Sequence, residues 1–135
     1  MISMEELLNR KYKLDQQSAE IQANLQELLV RINKVRKSWA KAMKVTSGLR
    51  SMADHLRIYK NKGITDTKKI PMKSKHLYGQ AVDIYDPNQK LQAWCKANEA
   101  LLAEIGLWME DFSVTTNWVH FQIVPPGSGK RWFMP

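Results

Sequence analysis

With one cysteine in 135 residues, Cys95, the chain can make no internal disulfide and no zinc site of the multi-cysteine type. It lacks any uninterrupted run of about 18 apolar residues, which excludes a membrane-spanning helix. The opening stretch, MISMEELLNRKYKL, turns charged within five residues and holds no apolar segment of about 7–15 residues. No secretory signal is therefore expected, and synthesis in a cytoplasm is. Internal repeats and low-complexity tracts are absent too. At 44% hydrophobic and 25% charged residues, the composition is that of a globular chain rather than a disordered one. The length suits one domain, residues 1–135, with residues 1–40 as an N-terminal helical segment packed on it, and a monomer is expected.

Acidic residues are scarce in one region only. Residues 31–75 hold 14 Lys and Arg against two acids, Asp54 and Asp66, within a chain whose net charge is +8. A patch of this kind suits a polyanion, whether nucleic acid, an acidic membrane surface or a cell wall carrying phosphates and carboxylates; it also suits a merely solvated face. No aromatic–basic alternation or nucleic-acid motif accompanies it, so no nucleic-acid partner is expected.

Ser3-Met4-Glu5-Glu6 has capping-box spacing, and Ile21, Leu25, Leu28, Ile32, Val35 and Trp39 recur every three or four residues. Residues 4–38 are accordingly read as helical, with a break near Leu14–Ser18. Met43, Val45 and Ser47 alternate into a short strand ending at Gly48, and Ser51 to Asp54 is a second capping box opening a helix to about Lys60. Residues 61–75 read as a long basic loop, and Gln80–Tyr85 as a buried strand. Asp86-Pro87 predicts an N-cap and first-turn proline with Gln89 completing the box. Leu91, Trp94, Cys95, Leu101, Leu102 and Ile105 form the inner stripe of that helix, interrupted by Asn98 and ended by Gly106, with Cys95 a small buried residue. Leu107–Glu110 and Trp118–Val124 read as two strands joined by a polar turn, and Pro125-Pro126-Gly127 as the end of the sheet. The expected class is α+β, a small antiparallel sheet with flanking helices.

The three histidines carry the chemical signal. His76 ends the basic loop, and Asp83 follows on a strand between Val82 and Ile84, a costly place for a carboxylate without a partner. Zinc is commonly held by two imidazoles and a carboxylate with a fourth position open for water, and such a site keeps a net +1 that lowers the pKa of that water. His120, after Trp118-Val119, supplies a second imidazole. The His-x6-Asp spacing also arises often by chance, and a lysine partner for Asp83 is the other reading from chemistry alone. His55 follows Asp54 at a helix start and is read as exposed and not ligating. Gly127-Ser128-Gly129-Lys130 lacks phosphate-loop spacing and a following helix. Trp118, next but one to His120, is a candidate cleft residue.

At these residues the chain resembles a known family. SxHxxGxAxD, spanning Ser74 to Asp83, preceded by Thr46-Ser47-Gly48-Leu49-Arg50-Ser51 and followed by Trp118-Val119-His120, is similar to the zinc D-alanyl-D-alanine carboxypeptidases. That group includes L-alanyl-D-glutamate endopeptidases and bacteriophage endolysins. The three motifs span residues 46–121 in the family order, and the first 40 residues carry none. The resemblance implies a fold of the Hedgehog/D-alanyl-D-alanine peptidase type and zinc ligands His76, Asp83 and His120. It implies Arg50 as the group that binds a substrate carboxylate or oxyanion, and Ser74 as a polar neighbour of the substrate. The implied activity is hydrolysis of an amide bond in peptidoglycan stem peptides, with no membrane span and with action on the wall after release from the cell. A non-catalytic zinc domain of the same fold is the alternative.

One position departs from the family pattern. Many members carry Glu or Asp three residues before the last histidine, as general base, and Asn117 stands there. A hairpin centred near residue 115 sets Glu110 opposite His120, five residues on each side. Opposed side chains lie about 4.5–5.5 Å apart at Cβ, within reach of a common water. Glu110 is the first candidate base and Asp111 the second, although Asp111 points to the other face.

Overall fold

The computed structural model describes all 135 residues, Met1–Pro135. Its elements are α1 (Met4–Leu7), α2 (Ala19–Trp39), β1 (Val45–Ser47), α3 (Met52–Asn61), β2 (Ala81–Tyr85), α4 (Lys90–Ala97), α5 (Glu99–Ile105), β3 (Trp108–Glu110), β4 (Trp118–Gln122) and β5 (Trp132–Phe133). This is a mixed α+β chain with a five-stranded sheet ordered β1-β2-β4-β3-β5. No helix is long and apolar enough to cross a membrane.

The N-terminal helix breaks more widely than its pattern predicts. The Ser3 capping box forms, with Ser3 and Glu6 satisfying each other's backbone N–H. Asn9 and Arg10 then take positive φ and end α1 after four residues. The cause is tertiary: Asn9 accepts from Gly48 N at 2.7 Å and donates to Leu49 O, stitching this turn to the end of β1. A 3-10 turn at Leu14–Gln16 intervenes, and Ser18 caps α2 by accepting from Ile21 N. On α2 the spacing holds: Leu25, Leu28, Ile32 and Val35 are fully buried against Val82, Ile84, Val119 and Phe121 of the sheet in one core of 19 residues. Burying each such side chain contributes about 1.5–3 kcal/mol before entropy is subtracted.

Gly48 sits where no side chain fits. A Cβ there would lie 2.2 Å from the Leu7 carbonyl oxygen, and the neighbouring Leu49 N–H donates to that same oxygen at 2.7 Å. Because the obstacle is backbone, a Gly48→Ala variant is expected to lose about 3 kcal/mol of stability, read as a lowered urea midpoint. An unchanged midpoint would show that α1 can withdraw from β1 freely.

Three expectations are corrected. The sheet is mixed, not antiparallel, and does not end at Pro125: the chain returns as β5, which pairs parallel with β3 through Met109↔Trp132 and Glu110↔Phe133. The helix after Pro87 starts only at Lys90, with Gln89 in the left-handed region, so Asp86 is not its N-cap. Asp86 still serves that helix from a distance, its two carboxylate oxygens accepting from Leu91 N at 3.0 Å and Gln92 N at 2.9 Å. Gln89 donates to Thr116 O instead of completing a box. At α3, Ser51 accepts from Asp54 N, but the Asp54 carboxylate does not return the bond. It accepts from Lys11 and Tyr12 and pairs with Arg57 at 2.9 Å, while Ser51 N donates to the Tyr12 oxygen.

The Lys11 and Tyr12 hydrogen bonds bring the Asp54 pKa down to about 2. A carboxyl depressed on folding stabilises the native state above its unfolded pKa of about 3.9 and loses that contribution as pH falls through the folded value. The stability gap between the parent and Asp54→Asn is therefore expected to be constant above about pH 5 and to close towards pH 2. Denaturant midpoints across that range measure it, and a gap independent of pH would reject the assignment.

Candidate metal centre

The sheet places the site. β2 and β4 pair antiparallel with Asp83 directly opposite His120, in the middle of both strands. His76 arrives from a 3-10 turn, Lys75–Tyr78, that ends at Gly79 with φ of 70°. That conformation suits glycine, and Leu25 of α2 lies against the spot a Cβ would fill. Turn, strand and strand bring one potential ligand atom from each of His76, Asp83 and His120 within 4.8 Å of one another.

Hydrogen bonds determine which ring nitrogens are available. His76 Nδ1 lies 2.9 Å from Gly48 O, a pure acceptor, so Nδ1 carries a proton and Nε2 faces Asp83 Oδ2 at 3.3 Å. Gln122 donates its amide N–H to Val124 O at 2.8 Å, which turns its oxygen towards His120. His120 Nε2 therefore donates to Gln122 Oε1 at 2.9 Å, and Nδ1 faces Asp83 Oδ1 at 2.9 Å. Two imidazole nitrogens and a carboxylate thus converge, each imidazole oriented from behind by an acceptor, as ligating histidines are elsewhere. The donor set fits a divalent cation.

Electrostatics tie the three groups to one another. Burial alone would raise the Asp83 pKa, but the charge of His76 and hydrogen bonds from His120 and His76 hold the carboxyl far below its usual range. Burial likewise lowers His120, and its hydrogen bond to Asp83 outweighs this and leaves the pKa raised.

The trio opens on a cleft of about 640 Å³ whose walls include Arg50, Ser74, Glu110 and Trp118. Strands β3 and β4 pair as Trp108↔Gln122 and Met109↔Phe121, the register of a hairpin centred on residue 115. Glu110 Oε1 accordingly lies 3.9 Å from His120 Nδ1. Asp111 turns away, its carboxylate accepting from Ser113 N at 2.9 Å, a bond that lowers its pKa. Asn117 is exposed, off the cleft wall, with its carbonyl accepting from Asp86 N. Ser74 precedes the His76 turn without bonding to it through its side chain.

Two residues of the site were not anticipated. His55 is fully buried, contrary to the expectation of exposure, because the 61–75 loop folds over it and supplies Pro71 O as a partner at 2.9 Å. It stands outside the ligand trio. Gln122 lies two residues after His120 on the same strand face, so the two-residue period of a strand was its available signal. Gln122→Ala is expected to weaken the binding of a divalent cation at this centre about 10- to 100-fold, measured with zinc as the probe in competition with a chromogenic chelator. Parental affinity would show that the His120 ring needs no second partner.

Fold and site together define an α+β chain with a candidate divalent-metal centre at the floor of a cleft. Compared with known proteins, the chain matches no family model, no curated protein and no solved structure.

Proposed function

We propose that this chain is a zinc-dependent peptidase that hydrolyses an amide bond in peptidoglycan stem peptides, with a fold of the Hedgehog/D-alanyl-D-alanine peptidase type. The carrying observation is the His76–Asp83–His120 trio, its imidazoles buried and its carboxylate half-buried, with Glu110 3.9 Å from its edge, in one cleft with Arg50. Zinc, held by those three residues, would polarise the scissile carbonyl and acidify a water in its open position. Glu110 takes the proton of the attacking water and passes it to the leaving amine, the work that Asn117 cannot do. Arg50 offers a fixed guanidinium to the oxygen on which negative charge develops, or to a substrate carboxylate. Ser74 and Trp118 flank the peptide.

The basic stretch supports the choice of an anionic wall. Lys62, Lys73 and Lys75 stand on the cleft wall beside Arg50, an attraction that added salt weakens. Such an enzyme acts on the wall after release from the cell that made it, in the manner of a phage endolysin.

Mass spectrometry of purified peptidoglycan treated with the protein, with and without chelator, tests the reading. Chelator-sensitive release of D-alanine or of a free D-glutamyl terminus supports it and identifies the bond. Zinc bound stoichiometrically with no cleavage would favour a non-catalytic metal domain. Salt-sensitive nucleic-acid binding indifferent to chelator would replace both.

A further inference from the structure

His55 occupies the first turns of α3, fully buried, with both ring nitrogens engaged. Nδ1 faces Arg50 Nη1 at 3.1 Å and Nε2 faces Pro71 O at 2.9 Å. A guanidinium only donates and a carbonyl only accepts, so Nδ1 holds the lone pair and Nε2 the proton. The ring is thus the neutral tautomer, and burial, which pushes its pKa down, favours the same form. Tyr59 closes over it edge-on, with ring centroids 5.0 Å apart.

Arg50 is held on three sides. Nη1 donates to His55, Nη2 donates to Ser47 Oγ at 3.0 Å, and its backbone N–H donates to the carbonyl of His76 at 3.1 Å. None of the ion pairs in the protein involves it, so every partner of the guanidinium is neutral. A carboxylate anchor would have neutralised this cation; an imidazole lone pair and a hydroxyl orient it and leave its charge facing the cleft. Pro71 belongs to the loop that leads to Ser74 and lines the same cleft, so one buried ring ties together two of its walls.

We infer that His55 is a positioning residue that aims the uncompensated Arg50 guanidinium at an anionic group in the cleft. The catalytic consequence rests on the peptidase reading; the anion-binding consequence does not. His55→Ala is expected to leave zinc content unchanged and to lower kcat/KM about 10-fold or more. In an Arg50→Ala background the same substitution should cost nothing further, because its effect passes through Arg50. His55→Asn, whose Oδ1 replaces the Nδ1 lone pair, should restore most of the loss, whereas His55→Gln, which keeps only a donor towards Pro71, should not.

A second measurement needs no hydrolysis. Titration with acetate, followed by 15N NMR of the Arg50 guanidinium, should move its signals in the parent and in His55→Asn but not in His55→Gln or His55→Ala. Wild-type turnover judges the peptidase reading, and the acetate titration judges the role of His55 whichever way that falls. Equal acetate shifts in all four proteins, or an undiminished loss in the Arg50→Ala background, would overturn the inference. The Asn and Gln variants decide it if the alanine variant fails to fold.

Discussion

His76→Ala and Asp83→Ala are expected to lose bound zinc and all measurable peptidoglycan hydrolysis while retaining the parental circular-dichroism spectrum. Each removes one of three donors that lie within 4.8 Å of one another, and a three-ligand site reduced to two falls out of the range of stable zinc binding. The fold should survive because the strand is held by other means. Asp83 is paired through its backbone to Ser47 on one side and His120 on the other, and Val82 and Ile84 are fully buried in the core. Metal content by plasma mass spectrometry and turbidity loss of a cell-wall suspension are the two readouts. Lysis by either variant at the parental rate would sink the metallopeptidase proposal.

The second large effect is expected at Glu110. Glu110→Gln preserves the shape of the side chain and its place 3.9 Å from His120 but cannot accept a proton. A fall in kcat of about 10²- to 10⁴-fold is expected, with zinc content unchanged because Glu110 is outside the ligand trio. Asp111→Asn and Asn117→Ala serve as contrasts. Asp111 is occupied with Ser113 and Asn117 stands off the cleft, so each should change kcat less than about threefold, which is under 1 kcal/mol. A Glu110→Gln enzyme as fast as the parent would move the general base elsewhere; an Asp111→Asn enzyme as slow as Glu110→Gln would move it one residue along.

Much of the frame was legible along the chain. The stripe on α2 was readable because helical period and burial coincide at Leu25, Leu28, Ile32 and Val35. The β3–β4 register was readable because a hairpin's offsets are arithmetic once its turn is located, and Trp108↔Gln122 follows that arithmetic. The stop at Gly106 was readable because a left-handed residue at a helix end favours glycine. Other features had no local signature. Asn9 ends α1 because Gly48 and Leu49 offer it bonds from about 40 residues away. Strand β5 joins the sheet parallel to β3, a pairing that no alternation in a two-residue strand announces. His55 resembles a solvent-facing residue at a helix start until a loop 16 residues distant covers it.

The sequence by itself determined the α2 stripe, the β3–β4 register and the stop at Gly106, and it singled out His76, Asp83 and His120 as candidate donors, since these depend on neighbours within a turn or two of chain. Tertiary structure alone decided the rest. Packing of α2 against Gly79, close approach of Leu7 to Gly48, and pairing of β2 with β4 bring 76, 83 and 120 together and turn His76 towards Asp83. The physical reason is range. Helical and strand periods are written in bonds spanning two to four residues, whereas the orientation of each imidazole depends on a carbonyl or amide whose position only the folded sheet supplies.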